Sequence, residues 1–276
     1  MADVPMTWEQ SVLWLRDQPE QQDLVRACFF DDPIEVAAER YRRSSEWLAL
    51  RAFLPPLPAT VLDVGAGRGI AAYAFAAEGF DITALEPDPS ALVGAGCIRR
   101  LSERTGLSIE IVETRAEELP FAAASFDIVH CRQALHHAAD LRQMCRELGR
   151  VLKDGGLLIA TREHVISKRS DLQAFFDGHP LHRFYRGENA YRLDEYQSAI
   201  EGGAIEIETT FNPYESDINR FPDTLEAVQQ RIAARYHWPL PKLIPAALVR
   251  YMGDRDQTPG RLYSFFGRRR ARGGAR

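Results

Sequence analysis

Cysteine is scarce and scattered. The four thiols, Cys28, Cys97, Cys131 and Cys145, stand far apart and form no Cys-x-x-Cys pair. That argues against a disulfide framework or a cysteine zinc site, and for reduced thiols in a cytoplasmic protein. Long apolar runs are missing too: nothing approaches the ~20 residues a bilayer span needs. Met1 to Pro5 lacks a basic stretch leading into an apolar one, so no signal peptide is expected. Basic charge is also short. The formal net charge is −5, and residues 268–276 hold five of the arginines, which leaves 29 basic residues against 39 acidic ones elsewhere. So acidic a body lacks the basic face that nucleic-acid binding demands. The expectation is a soluble cytoplasmic protein, monomer or homodimer, with a small-molecule acceptor and with neither nucleic acid nor membrane as partner.

With 45% hydrophobic and 26% charged residues in 276, the composition is that of an ordinary globular chain. That length suits one α/β domain with an insertion. Residues 7–54 read as helical, because Trp8, Val12, Leu15, Val36, Tyr41, Trp47 and Leu50 recur at three- and four-residue steps, with a break at Asp31-Asp32-Pro33. Strands and helices then alternate, the signature of a parallel sheet covered on both faces. Strands are predicted at 60–64, 81–85, 108–113, 126–131 and 157–161. Helices are predicted at 69–78, from the cap Asp88 to about 104, and at 140–152, where Gly155-Gly156 follows. After Thr161 the pattern turns polar, aromatic and histidine-rich up to residue 192. A helix at 193–201, a strand at 204–211, a proline-punctuated helical insertion at 213–259 and a last strand at 261–266 complete the reading. The implied organisation is an N-terminal helical cap (1–54), a cofactor-binding core (55–165), lid insertions and final strands of the same domain (166–267), and a disordered basic tail (268–276).

The strongest local signal is Gly65-x-Gly67-x-Gly69, which follows an apolar strand and precedes a helix. Glycines let a backbone turn tightly and approach a ligand, and a helix start offers free N–H groups. Glu86 closes the next strand, 17 residues beyond Gly69, where a carboxylate can accept both hydroxyls of a ribose. The spacing departs from the Gly-x-Gly-x-x-Gly of dinucleotide sites. Asp63 beside the turn suits a ligand carrying an ammonium and a sulfonium and would repel a pyrophosphate. Electrostatics therefore favours S-adenosylmethionine over a nicotinamide dinucleotide.

Val61–Gly69, Glu86-Pro87-Asp88, Ala116–Phe121, Ser125–Val129 and Leu152–Gly156 together resemble the class I S-adenosylmethionine-dependent methyltransferases, and among them the small-molecule group that includes the ubiquinone-biosynthesis type. The resemblance covers about residues 55–165. It implies a Rossmann-like α/β fold with a seven-stranded, mostly parallel sheet whose last strand is antiparallel. It also implies that Asp63, Gly65, Ala66 and Gly67 surround the methionine part of the cofactor, that Glu86 and Pro87 meet the ribose, and that Ala116 and Glu117 meet the adenine. Gln133 and Leu135 would neighbour the cofactor, and Tyr41 could lie near its carboxylate. One position departs from the family: Arg115 stands where many relatives have an aspartate that reads the adenine amino group.

The implied reaction is methyl transfer to O or N of a small hydroxylated metabolite, a sugar or secondary metabolite. The rivals are an NAD(P)-dependent oxidoreductase of the same fold class and a non-catalytic S-adenosylmethionine-binding subunit. Histidine can take a proton from an acceptor near neutral pH. His136 and His137 after the fourth strand, and His164, His179 and His182 in the segment beyond the fifth, are the candidate bases. His179 and His182 are three apart, but Pro180 intervenes and no second pair is near them in sequence, so no metal site is expected.

Overall fold

The computed structural model describes residues 6–185 and 187–271. Met1–Pro5, Arg186 of the histidine-rich segment and 272–276 of the basic tail lie outside the described residues. Four helices come first: α1 (Trp8–Arg16), α2 (Gln22–Ala27), α3 (Ile34–Arg42) and α4 (Ser45–Arg51). Thr7 and Ser44 cap α1 and α4, each hydroxyl accepting a backbone N–H three residues on. Pro33 ends the gap before α3, where the sequence predicts the break.

The core then alternates as expected: β1 (Thr60–Val64), α5 (Ile70–Ala77), β2 (Asp81–Leu85), α6 (Ala95–Thr105), β3 (Glu110–Val112), β4 (Phe126–Arg132), α7 (Leu141–Val151) and β5 (Leu152–Ile166). Beyond lie α8 (Leu172–Asp177), α9 (Pro180–Phe184), β6 (Tyr191–Arg192), α10 (Leu193–Gly202), β7 (Ile205–Phe211), α11 (Asp217–Arg220), α12 (Leu225–Tyr236), α13 (Ala246–Asp254) and β8 (Arg261–Arg269). The sheet runs β3-β2-β1-β4-β5-β8-β7, with the short β6 pairing the far end of β5. Strands β1 to β5 are mutually parallel, and β8 is antiparallel to both β5 and β7. This is a mostly parallel α/β sheet whose last strand is reversed.

Alternation along the strands sends side chains to two layers. Val61, Ile82, Ala84, Ile128 and Ile159 pack under α3, α4, α5 and α6. Leu62, Val64, Val129, Cys131, Leu158 and Ala160 pack under α7 and α10. The unbroken buried run Ile128–Cys131 within β4 matches a central parallel strand.

Several boundaries differ from the sequence expectation. The helix predicted to open at Asp88 starts at Ala95, because Asp88 Oδ1 accepts from Ser90 N–H and Ser90 Oγ accepts from the Leu92 and Val93 N–H groups. These local bonds satisfy the backbone in a turn and delay the helix. Strand β5 runs from Leu152 to Ile166, beyond the predicted 157–161 at both ends, because Phe126 of β4 pairs with Leu152 and because β8 and then β6 supply partners past Thr161. The lid segment holds α8, α9 and β6, which short range and Pro180 hide from periodicity. Arg268 and Arg269, expected in a disordered tail, belong to β8 and pair with β5 and β7.

Candidate cofactor site and histidine cluster

The glycine turn sits at the carboxyl end of β1. Gly65, Gly67 and Gly69 have φ of +67°, +54° and +81°, which an L side chain rarely adopts. Their surroundings differ. A Cβ on Gly65 would lie 2.8 Å from the Ala134 Cβ and one on Gly69 3.1 Å from Ile98, whereas one on Gly67 would meet nothing closer than 3.9 Å. Two glycines therefore permit packing, and the third leaves an open backbone face.

Glu86, buried at the end of β2, accepts from Gly67 N–H at 2.7 Å through Oε2 and from Asp88 N–H at 2.9 Å through Oε1. Each oxygen keeps a lone pair for a further donor. Burial pushes its carboxyl up to about 7; the two N–H groups oppose that rise and the charges of Asp88 and Asp63 add to it. Ala66 N–H is taken by Leu85 O, Pro87 is exposed, and Ala116 is buried.

Asp63 points into the layer covered by α5. Its Oδ1 meets His130 Nδ1 at 2.7 Å in the aligned position of β4, and its Oδ2 is buried without a hydrogen-bond partner. An unpartnered carboxylate oxygen two residues before Gly65, the open face of Gly67 and the spare acceptors of Glu86 fit a cationic nucleoside ligand. Those residues suit the donors that S-adenosylmethionine offers.

The remaining predicted contacts are less exposed to a ligand. Tyr41 and Leu135 are fully buried, Tyr41 against Phe29 and Trp47, and Leu135 in the core under α7. The Glu117 carboxylate accepts from Ala139 N–H at 2.8 Å, in the segment leading to α7. Gln133 is half-buried at φ +52°, donating its N–H to Thr161 O.

The five candidate histidines converge. His136 and His137 form a single turn after β4, His164 lies on β5, His179 caps α9 and His182 lies within it. Neighbouring rings stand 4.1 Å (His136–His137), 4.8 Å (His136–His164), 5.2 Å (His164–His182) and 4.5 Å (His179–His182) apart between centroids. Two carboxylates organise them, neither singled out by the sequence reading. Glu163 accepts from Ala134, Leu135 and His136 N–H and meets His136 Nδ1 at 2.8 Å. Glu188 Oε2 lies 3.2 Å from the other ring nitrogen of His136. Burial disfavours a charge on His136, but these carboxylates outweigh it and raise the imidazole to about 9. Burial and the neighbouring His136 push His164 well below its ordinary value, and burial with His182 brings His179 to about 4.

A bulge aims Glu163. The β5–β8 register shifts between Ala160 and Glu163, and Arg162 sits there at φ +60°. Arg162 turns toward α11, donating to the Ile218 and Phe221 carbonyls at 2.8 Å, while Glu163 turns to the histidines.

Residues 62–160 match a family described as the methyltransferase domain. That match runs from β1 to β5 and so includes the glycine turn and Glu86. Among curated proteins, the ubiquinone biosynthesis O-methyltransferase of Methylocella silvestris is 37% identical over 100 residues, 36% of this chain and 38% of that protein. The chain thus spans well under half the length of that relative. Among solved structures, YcgJ of Bacillus subtilis has a TM-score of 0.54 at 22% identity, covering 82% of this chain and 98% of the other. A geranyl diphosphate methyltransferase in complex with S-adenosylmethionine has a TM-score of 0.58 at 15% identity, covering 88% and 94%. These two likenesses establish the fold. No helix among the described residues is long and apolar enough to cross a membrane.

Proposed function

We propose that this chain transfers the methyl group of S-adenosylmethionine to an oxygen or nitrogen of a small hydroxylated acceptor. The observation that carries the reading is Glu86, buried at the end of β2 and bonded to the open-faced Gly67 of the turn. In this reading Glu86 accepts the ribose hydroxyls, Gly65, Ala66 and Gly67 line the methionine part, and Asp63 Oδ2 accepts from its ammonium. Ala116 packs on the adenine, Gln133 closes the side toward β4, and Glu117 supports the adenine edge only through the segment it holds. The bound cofactor supplies an electrophilic methyl on a sulfonium, whose neutral leaving group needs little acid assistance. The chain's own part is to orient the acceptor in line and exclude water.

Among the histidines, burial favours the neutral form of His137, His164, His179 and His182, the form that can receive a proton from an acceptor hydroxyl. The ubiquinone-biosynthesis relative is named an O-methyltransferase, which supports oxygen as the acceptor atom. Isothermal titration with S-adenosylhomocysteine and with NAD(H) tests the cofactor half. Binding of the first and not the second is expected, and the reverse would install the oxidoreductase reading. Release of S-adenosylhomocysteine during incubation with hydroxylated acceptors tests turnover, and its absence across such a panel would favour a non-catalytic subunit.

A further inference from the structure

We infer that His136, His137 and Glu188 form a binding site for one divalent first-row transition-metal ion, zinc being the natural probe. The donor atoms of these three side chains, one from each, all lie within 4.8 Å of one another. Glu188 Oε2 is 3.2 Å from His136 Nε2, and Oε1 is 4.0 Å from His137 Nε2. A tetrahedral ion with bonds of about 2.0–2.2 Å sets its ligands about 3.3–3.6 Å apart, so modest closure of the His137 ring completes the set. The His137 side chain is 39% exposed while those of His136 and Glu188 are 2% and 3%, so that small shift needs no repacking of the core.

Three features point to a metal and not to a self-contained polar cluster. The first is the orientation of the rings. His136 Nδ1 is tied to Glu163 and His137 Nδ1 to the Gly187 carbonyl at 3.4 Å, so both Nε2 atoms face Glu188. Ligating histidines are held in this way, the far nitrogen donating to a carboxylate or carbonyl and the near one presented to the ion. The second is an unsatisfied oxygen: Glu188 Oε2 is buried, 3.2 Å from His136 Nε2 and 3.9 Å from His182 Nε2, and has no aligned hydrogen bond. A buried carboxylate oxygen left in that condition is costly. The third is charge. Among the described residues the ion-pair partners of Glu163 and Glu188 are histidines alone. A divalent ion would supply the cation that no Lys or Arg among the described residues brings to these two buried carboxylates.

Two histidines and one carboxylate leave an open coordination position, as in catalytic zinc and non-haem iron sites. The site lies at the carboxyl ends of β4 and β5, the sheet edge that also carries the glycine turn. The ligand class for the open position is water or an oxygen donor such as a hydroxyl. The site does not require the methyl-transfer reading.

The test uses the full chain, stripped with a chelator and dialysed. Zinc binding is followed by calorimetry and by metal content, and cobalt substitution by its visible absorption. Circular dichroism melts and S-adenosylhomocysteine titration of the same samples report the fold and the cofactor site. One ion per chain is expected. His137→Ala and Glu188→Gln should each weaken binding at least tenfold, and Glu163→Gln by about 10–100-fold through the ring it orients. His237→Ala, at the one histidine exposed outside both this cluster and the core, should leave binding unchanged. A folded wild type without stoichiometric zinc, or His137→Ala and Glu188→Gln variants that bind zinc as the wild type does, would overturn the site. Zinc absent with S-adenosylhomocysteine bound removes this inference alone; the converse removes the cofactor reading alone.

Discussion

Glu163 and His136 are joined across the edge of the sheet, carboxylate Oε2 to imidazole Nδ1 at 2.8 Å, while the same carboxylate accepts three successive backbone N–H groups. The pair fastens the turn after β4 to the bulge in β5. Replacing Glu163 by Ala strands buried donors, each worth about 1–3 kcal/mol when left unpaired. Glu163→Ala is therefore expected to lose about 3 kcal/mol in urea unfolding, since partial relaxation hydrates some of those donors. Glu163→Gln, which keeps an acceptor oxygen, should lose less. Equal losses would show that the carboxylate is not holding the turn.

A second buried pair links the helical cap to the sheet. Arg132, at the end of β4, meets Glu46 of α4 through two bonds of 2.6 and 3.0 Å, and Glu46 is fully buried. Burial opposes the Glu46 charge, yet Arg132 and Arg162 hold its carboxyl below the usual range. Glu46→Ala leaves those guanidinium groups uncompensated, and a loss of about 3–5 kcal/mol is expected by chemical denaturation. A loss below about 1 kcal/mol would place the pair in water and not in the core.

The glycines of the turn are predicted to separate by assay. Gly67→Ala meets open space, so it should cost about 1 kcal/mol in stability from its φ alone. Its methyl nonetheless enters the face offered to the cofactor, and S-adenosylhomocysteine affinity should fall at least tenfold. Gly65→Ala collides with Ala134 and should be the more destabilising variant in thermal melts. The opposite ranking in stability would mean that the turn is packed differently.

Glu86 gives the site a pH dependence whose sign follows from its raised carboxyl, about 7 against an ordinary value near 4.5. A carboxyl raised by folding contributes stability at low pH and loses it as pH climbs from the unfolded value to the folded one. The ligand-free chain should therefore lose on the order of 3 kcal/mol of this contribution between pH 4.5 and 7. Ribose hydroxyls donate to the ionised form, so cofactor affinity should rise about tenfold from pH 6 to pH 8. Calorimetry at the two pH values checks this, and Glu86→Gln should flatten the profile. A flat wild-type profile would show that Glu86 does not face the ribose.

What the sequence made legible was local. The strand, glycine turn, helix and Glu86 lie within thirty residues and obey short-range rules, so their places follow from spacing. Asp63 shows where that reasoning stops. Its position beside the turn is legible, but strand alternation sends its carboxylate to His130, 67 residues away, leaving only Oδ2 unpaired. The histidines are visible only singly in the sequence, because their meeting depends on a β5–β8 bulge and on the segment that brings α9 and Glu188 to them. Glu163 carried a faint signal, a carboxylate next to an apolar strand, whereas Glu188 in an aperiodic loop carried none.

The central claim is that Glu86 and the open face of Gly67 hold the nucleoside of S-adenosylmethionine. Titration of S-adenosylhomocysteine into the wild type and into Glu86→Ala, with a melt of each, tests it most directly. The account predicts saturable one-to-one binding by the wild type and at least tenfold weaker binding by a variant that still melts cooperatively. Equal affinity in the two proteins, or no binding by a folded wild type, would contradict it.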